Sequence, residues 1–132
     1  IPNLLTNGVA EAVCASNAVK VYVMNVMTQD GETEGYTASD HVRALFDHGG
    51  RELFRHVLIN DTPIPGDILK KYHVENAAPV AVNQTELLSM GVQPVFASVA
   101  SLKNGLVRHD PAALARALMD IYNSFAATRI AE

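Results

Sequence analysis

Side chains able to do chemistry concentrate in two short stretches of this sequence. Asn25, Thr28, Gln29, Glu32 and Thr33 crowd into the polar, glycine-containing run 25–37. Amide, hydroxyl and carboxylate groups at that spacing suit the hydroxyls of a ribose or another sugar, or the edge of a base. They would serve equally in a solvated connection whose polar atoms satisfy its own backbone. The second stretch is Arg108-His109-Asp110, directly before a helical pattern that opens at Pro111. A helix N-terminus offers free N–H groups and a positive dipole end, and a guanidinium beside it can grip a phosphate bidentately. The plain alternative is a surface ion pair, with Asp110 acting only as a cap. Tyr72, at the end of a short helical segment, is either core filler or a stacking platform.

Other candidates have simpler explanations. His41, His48, His56, His73 and His109 are scattered, and none pairs at the i, i+4 spacing of a helical metal site with acidic support, so no metal site is expected. Asp40-His41 would suit acid–base work, yet a capping carboxylate at Asp40 explains it more economically. The sequence contains no Gly-x-Ser-x-Gly, no phosphate-loop motif and no Gly-x-Gly-x-x-Gly, so no residue is assigned a catalytic role.

These groups need a scaffold, and the hydrophobic pattern supplies one. Residues 19–25 form a continuous, β-branched apolar run, as in a strand buried on both faces of a parallel sheet. Thr37 and Asp40 are spaced as a capping box before a helix over 38–48, which Gly49-Gly50 stops. Between them lies a connection of about a dozen residues, near the upper end of the usual range. A loop at the carboxyl end of a buried strand is where open α/β sheets place their ligands.

Upstream, Leu4, Leu5, Val9, Ala12 and Val13 recur at helical spacing over 3–16, with Gly8 placed to split the helix. Further strands are expected at 56–60, 79–83 and 94–99, with short helical segments at 67–72 and 86–90. Asn104-Gly105 marks a hairpin or bulge. Asp110 and Pro111 open a helix whose buried face is Leu114, Ala117, Leu118, Ile121, Tyr122 and Phe125; beyond Ala127 the end is expected to fray. The alternation predicts an α/β fold, a parallel sheet flanked by helices, with residues 1–132 as one unit.

With 48% hydrophobic and 18% charged residues, the 132-residue chain has the composition of a folded domain. A net charge of -4 with no basic stripe argues against a nucleic-acid partner. No apolar run approaches the ~20 residues of a membrane span. The lone Cys14 falls on the apolar side of its helix and reads as a small core residue, which suits a reducing cytoplasm.

Along nearly its whole length the sequence resembles the gluconeogenesis-factor (YvcK-type) family, relatives of the 2-phospho-lactate transferase CofD. The matching stretches are Ile1-Pro2-Asn3-Leu4-Leu5, Val21-Tyr22-Val23, Asn25-Val26-Met27-Thr28-Gln29, Gly31-Glu32-Thr33, Gly35-Tyr36-Thr37-Ala38-Ser39-Asp40-His41, Tyr72, Ala78-Pro79-Val80 and Arg108-His109-Asp110. Asp30 departs from the proline usual in that family. The resemblance implies the carboxyl-terminal, incomplete portion of a larger Rossmann-like domain, a parallel sheet flanked by helices, whose glycine-rich motif and Gly-Pro-Gly-Ser segment would precede Ile1. It also implies a bacterial cytoplasmic protein that binds UDP-sugars such as UDP-N-acetylglucosamine and acts in carbon metabolism, cell shape and peptidoglycan precursor supply. The family's ligand-contacting tyrosine and arginine fall on Tyr72 and Arg108. Expected partners are the nucleotide sugar, the rest of the same protein and a second copy in a homo-oligomer. The competing expectation is a CofD-like transferase moving a phospho-lactyl group with magnesium; no other cofactor is implied.

Overall fold

The computed structural model describes residues 2–130, with the backbone alone for Pro2 and for 126–130. Three parallel strands form the central sheet in the order β1 (Val21–Val23), β2 (His56–Asn60), β3 (Gln93–Ala97). Val21 stands opposite His56, and His56 opposite Gln93. The middle strand β2 carries the unbroken apolar run that both faces of such a sheet demand. Val57 and Ile59 point to one face, where they pack with Ala10, Val42, Leu45, Leu87 and Val92. Leu58 points to the other, against Val99 and Ile121. The period of two along the strand thus divides the core into two layers.

The first layer is closed by α1 (Val9–Ala15), α2 (Ala38–Gly49) and α4 (Gln84–Ser89), the second by α5 (Pro111–Ile130). A short 3-10 helix, Pro2–Leu5, precedes α1, and Gly8, with φ 83°, separates the two. Helix α3 (Gly66–Val74) lies outside the core and has no buried residue. A separate antiparallel hairpin pairs β4 (Ala100–Lys103) with β5 (Leu106–His109). Its two central residues, Asn104 and Gly105, both have positive φ (54° and 71°), as a primed hairpin turn requires.

The α/β class with a parallel sheet and flanking helices is as expected, but three local expectations are corrected. The strand over 19–25 shortens to Val21–Val23, the three residues that pair with His56, Val57 and Leu58 of β2; Lys20, just before them, donates from Nζ to the carbonyls of Val13 and Cys14 at the end of α1 (3.1 and 3.0 Å). The segment 79–83 is not a strand of the sheet; it makes isolated bridges, Pro79 to Met27 and Ala81 to Thr37. Proline at its start has no N–H for a ladder. Finally, Tyr122 is 52% exposed, because α5 turns Ile121, Leu118 and Phe125 inward instead. The end beyond Ala127, expected to fray, lies outside the described side chains.

Candidate functional site

The misread segment 79–83 is what holds the long loop. Thr28 N–H donates to Ala78 O (2.7 Å) and Ala78 N–H returns to Thr28 Oγ1 (2.9 Å). Val80 N–H reaches Val26 O (3.1 Å), and Ala38 N–H reaches Ala81 O (2.8 Å). Farther along, Gln29 N–H donates to Thr33 Oγ1 and Thr33 N–H to Gln29 O, both at 2.9 Å. Residues 25–29 are therefore pinned at the carboxyl end of β1.

Two other elements converge there. His109 Nε2 lies 3.1 Å from Met24 O, which seats β5 against the end of β1. Tyr72, on α3, accepts the Val107 N–H at its hydroxyl (2.8 Å) and keeps its own O–H proton as a donor. The result is an open cleft of about 380 Å³, lined by residues 25–29, Tyr72 and 106–109. That is toward the small end of ligand pockets, which run roughly 300–1,000 Å³.

Of the residues singled out in the sequence, the fold brings Asn25, Thr28, Gln29, Tyr72 and Arg108 into this one cleft. Glu32 and Thr33 do not line it: Glu32 faces solvent, and Thr33 braces the loop. The start of α5 is not part of the lining either. Asp110 caps it, accepting Ala113 N–H at Oδ1 (2.8 Å), and that bond holds the carboxyl below the usual carboxylate range. An anion in the cleft would thus meet Arg108 and not the helix end.

Arg108 is exposed and forms no ion pair among the described residues. Arg43 provides the contrast, its guanidinium lying 2.7 Å from both Asp40 and Glu86. Asp40 is fully engaged as a cap: it accepts the Thr37 N–H and hydroxyl, and these bonds, with Arg43 behind them, lower its pKa. The plain reading of Asp40 therefore suffices. The Val107 backbone was missed in the sequence, and His109 was named there only within the Arg108-His109-Asp110 stretch, with no contact of its own; the Asn104-Gly105 turn, which sets Arg108 opposite Ser101, was the signal that could have placed them. Among the described residues no group of three or more His, Cys, Asp or Glu is placed to hold a metal ion.

The family profile described as 2-phospho-L-lactate transferase CofD matches residues 1–100. The chain belongs to the CofD family. Within it, the chain is 42% identical over 121 residues to the gluconeogenesis factor of Bacillus subtilis, covering 92% of this chain and 38% of that protein. It is 39% identical over 120 residues to the gluconeogenesis factor of Halalkalibacterium halodurans, covering 91% and 37%. Among solved structures, it is similar to a member of the UPF0052 family from Bacillus halodurans, with TM-score 0.80 and 42% identity over 83% of this chain and 35% of that one. A second crystal structure from that organism superposes with TM-score 0.86 at 40% identity, covering 89% and 38%. This CofD-family chain therefore spans less than two fifths of the length of these relatives. Among its described residues no helix is long and apolar enough to cross a membrane.

Proposed function

We propose that this chain builds part of a nucleotide-sugar site in a regulatory protein, which binds a UDP-sugar such as UDP-N-acetylglucosamine and releases it unchanged. In this reading Arg108 holds the diphosphate, and Asn25, Thr28, Gln29 and Tyr72 meet the sugar and ribose hydroxyls. The observation that carries it is the guanidinium of Arg108, without an ion pair among the described residues, sharing one cleft with those donors and acceptors at the carboxyl edge of a parallel sheet. Two charge-assisted contacts, at ~1.5–3 kcal/mol each, are a large share of the roughly 8 kcal/mol of a micromolar complex. The name carried by the relatives, gluconeogenesis factor, supports a role in regulating carbon metabolism. We extend that role to cell shape and peptidoglycan precursor supply in the bacterial cytoplasm.

Titration of UDP-N-acetylglucosamine into the protein and its Arg108→Ala variant tests the reading. The variant is expected to bind about 10- to 100-fold more weakly, with a shallower salt dependence. Equal affinity and an unchanged salt dependence would overturn it. A second reading, favoured by the description of the matching family profile, is a CofD-like transferase acting from a nucleotide-linked donor with magnesium. Turnover of such a donor in the presence of an acceptor and magnesium would establish that reading over ours.

A further inference from the structure

A second hollow, of about 250 Å³, opens on the far side of Asn25 and Val26. Those two residues line it and the larger cleft alike, so the two spaces meet along a shared ridge. Their chemistry differs. The larger cleft carries a guanidinium, a phenol and the loop amides, whereas the hollow is walled by Ile59, Ile64, Leu69, Pro79, Val80 and Val82. Besides Asn25, two polar residues line it at the end of β2, Asn60 and Thr62. Asn60 is largely engaged: Nδ2 donates one N–H to Thr62 O (3.0 Å), and Oδ1 accepts the N–H groups of Val99 and Ala100 (3.1 and 2.8 Å). The hydroxyl of Thr62 is buried and has no hydrogen-bond partner among the described residues. A buried hydroxyl in that state has lost its hydration without replacement, and native proteins rarely leave one so unless something else supplies the bond.

We propose that this hollow is the base subsite of the same ligand: the pyrimidine ring of a uridine nucleotide lies between its apolar walls and hydrogen-bonds Thr62, while Arg108 holds the diphosphate across the Asn25–Val26 ridge. The proposal rests on the nucleotide-sugar reading above and assigns the orientation within it. A hexosamine presents polar groups all round its ring, and a hollow walled mostly by aliphatic side chains would leave many of them unsatisfied. A pyrimidine has two apolar faces and a polar edge, which matches aliphatic walls with a few polar groups at one side. The sugar then falls to the larger, more polar cleft.

The test compares uridine diphosphate with inorganic pyrophosphate, which lacks the nucleoside, on the wild type, Thr62→Val and Val80→Phe. Thr62→Val keeps the shape and removes the hydroxyl. Its affinity for uridine diphosphate is expected to fall roughly tenfold, with pyrophosphate binding unchanged and the unliganded protein no less stable to heat. Val80→Phe fills the hollow and is expected to block uridine diphosphate while sparing pyrophosphate, whose binding also reports that the variant has folded. If Val80→Phe binds neither probe, Thr62→Val alone decides. Wild-type affinity for uridine diphosphate in Thr62→Val would overturn the subsite while leaving the nucleotide-sugar reading in place. A wild type that binds neither uridine diphosphate nor UDP-N-acetylglucosamine would overturn both.

Discussion

The Val107 N–H donates to the Tyr72 hydroxyl across 2.8 Å and ties the edge of the hairpin to α3. Arg108 is the next residue along β5, so this tether sets where the guanidinium leaves the strand. Tyr72→Phe keeps the ring and removes the acceptor. It should lower stability by about 1 kcal/mol and weaken UDP-N-acetylglucosamine binding several-fold. Urea denaturation and ligand titration check the two effects separately, and a variant matching the wild type in both would show that the tether does nothing.

Asn60 joins the end of β2 to the start of the hairpin through Val99 and Ala100, some forty residues away in sequence. Asn60→Ala leaves two half-buried N–H groups and the Thr62 carbonyl without their partner. A loss of about 2–3 kcal/mol is expected, at the upper range for an unmade buried hydrogen bond. A urea midpoint within error of the wild type would mean that solvent replaces the amide at no cost.

Segment 56–60 was legible because its apolar run has one physical use, burial on both faces at the centre of a parallel sheet. The capping box of α2 was legible because Thr37 and Asp40 are three residues apart and act locally. Residues 79–83 misled for the opposite reason. Their β-branched side chains suit an extended backbone, but whether an extended segment joins a sheet or clamps a loop depends on partners that lie more than forty residues away, such as Val26 and Thr37. The cleft was half legible on the same grounds. Asn25, Thr28 and Gln29 are neighbours in sequence, and β1 places them together. Tyr72 and Arg108 were open alternatives on residue type and spacing, and the family resemblance raised them; Asn60 and Thr62 carried no local signal. Glu32 and Thr33 were included because they are polar and nearby, which does not tell a residue that meets a ligand from one that faces solvent or braces its own loop.

Two glycines separate conformational strain from steric room. Gly50, which closes α2, has φ 85° and ψ 162°, a region open essentially to glycine alone. Its N–H still bonds Phe46 O at 2.8 Å, so the conformation belongs to the helix end. Gly50→Ala should cost about 1–3 kcal/mol. Gly66 opens α3 without a positive φ, and a Cβ there would meet nothing within 4 Å. Gly66→Ala should therefore gain about 0.4–1 kcal/mol by narrowing the unfolded ensemble. Thermal melts of the two variants should move in opposite directions; a shared direction would contradict the backbone argument.

Acid should weaken the fold in two separate windows. His56 is half-buried, its ring edge-on to Phe125 with centroids 4.5 Å apart. Burial first, then the charge of Arg55, push its pKa below the usual histidine value. The unfolded chain thus takes up a proton near pH 6.5 while the folded one does not. Stability from this group is full above that pH and is lost as pH falls toward the lowered folded value. Asp40 acts farther down: the Thr37 hydrogen bonds, with Arg43, lower its pKa, so its contribution is full above about pH 4 and is lost as pH drops through the folded value. Urea midpoints measured from pH 8 to pH 3 should fall first as pH drops below about 6.5 and again below about 4. His56→Gln should flatten the first fall and leave the second. Thr37→Ala should shrink the second and lower the plateau by about 1 kcal/mol through the lost helix cap. A first fall that persists undiminished in His56→Gln would place its origin in another histidine.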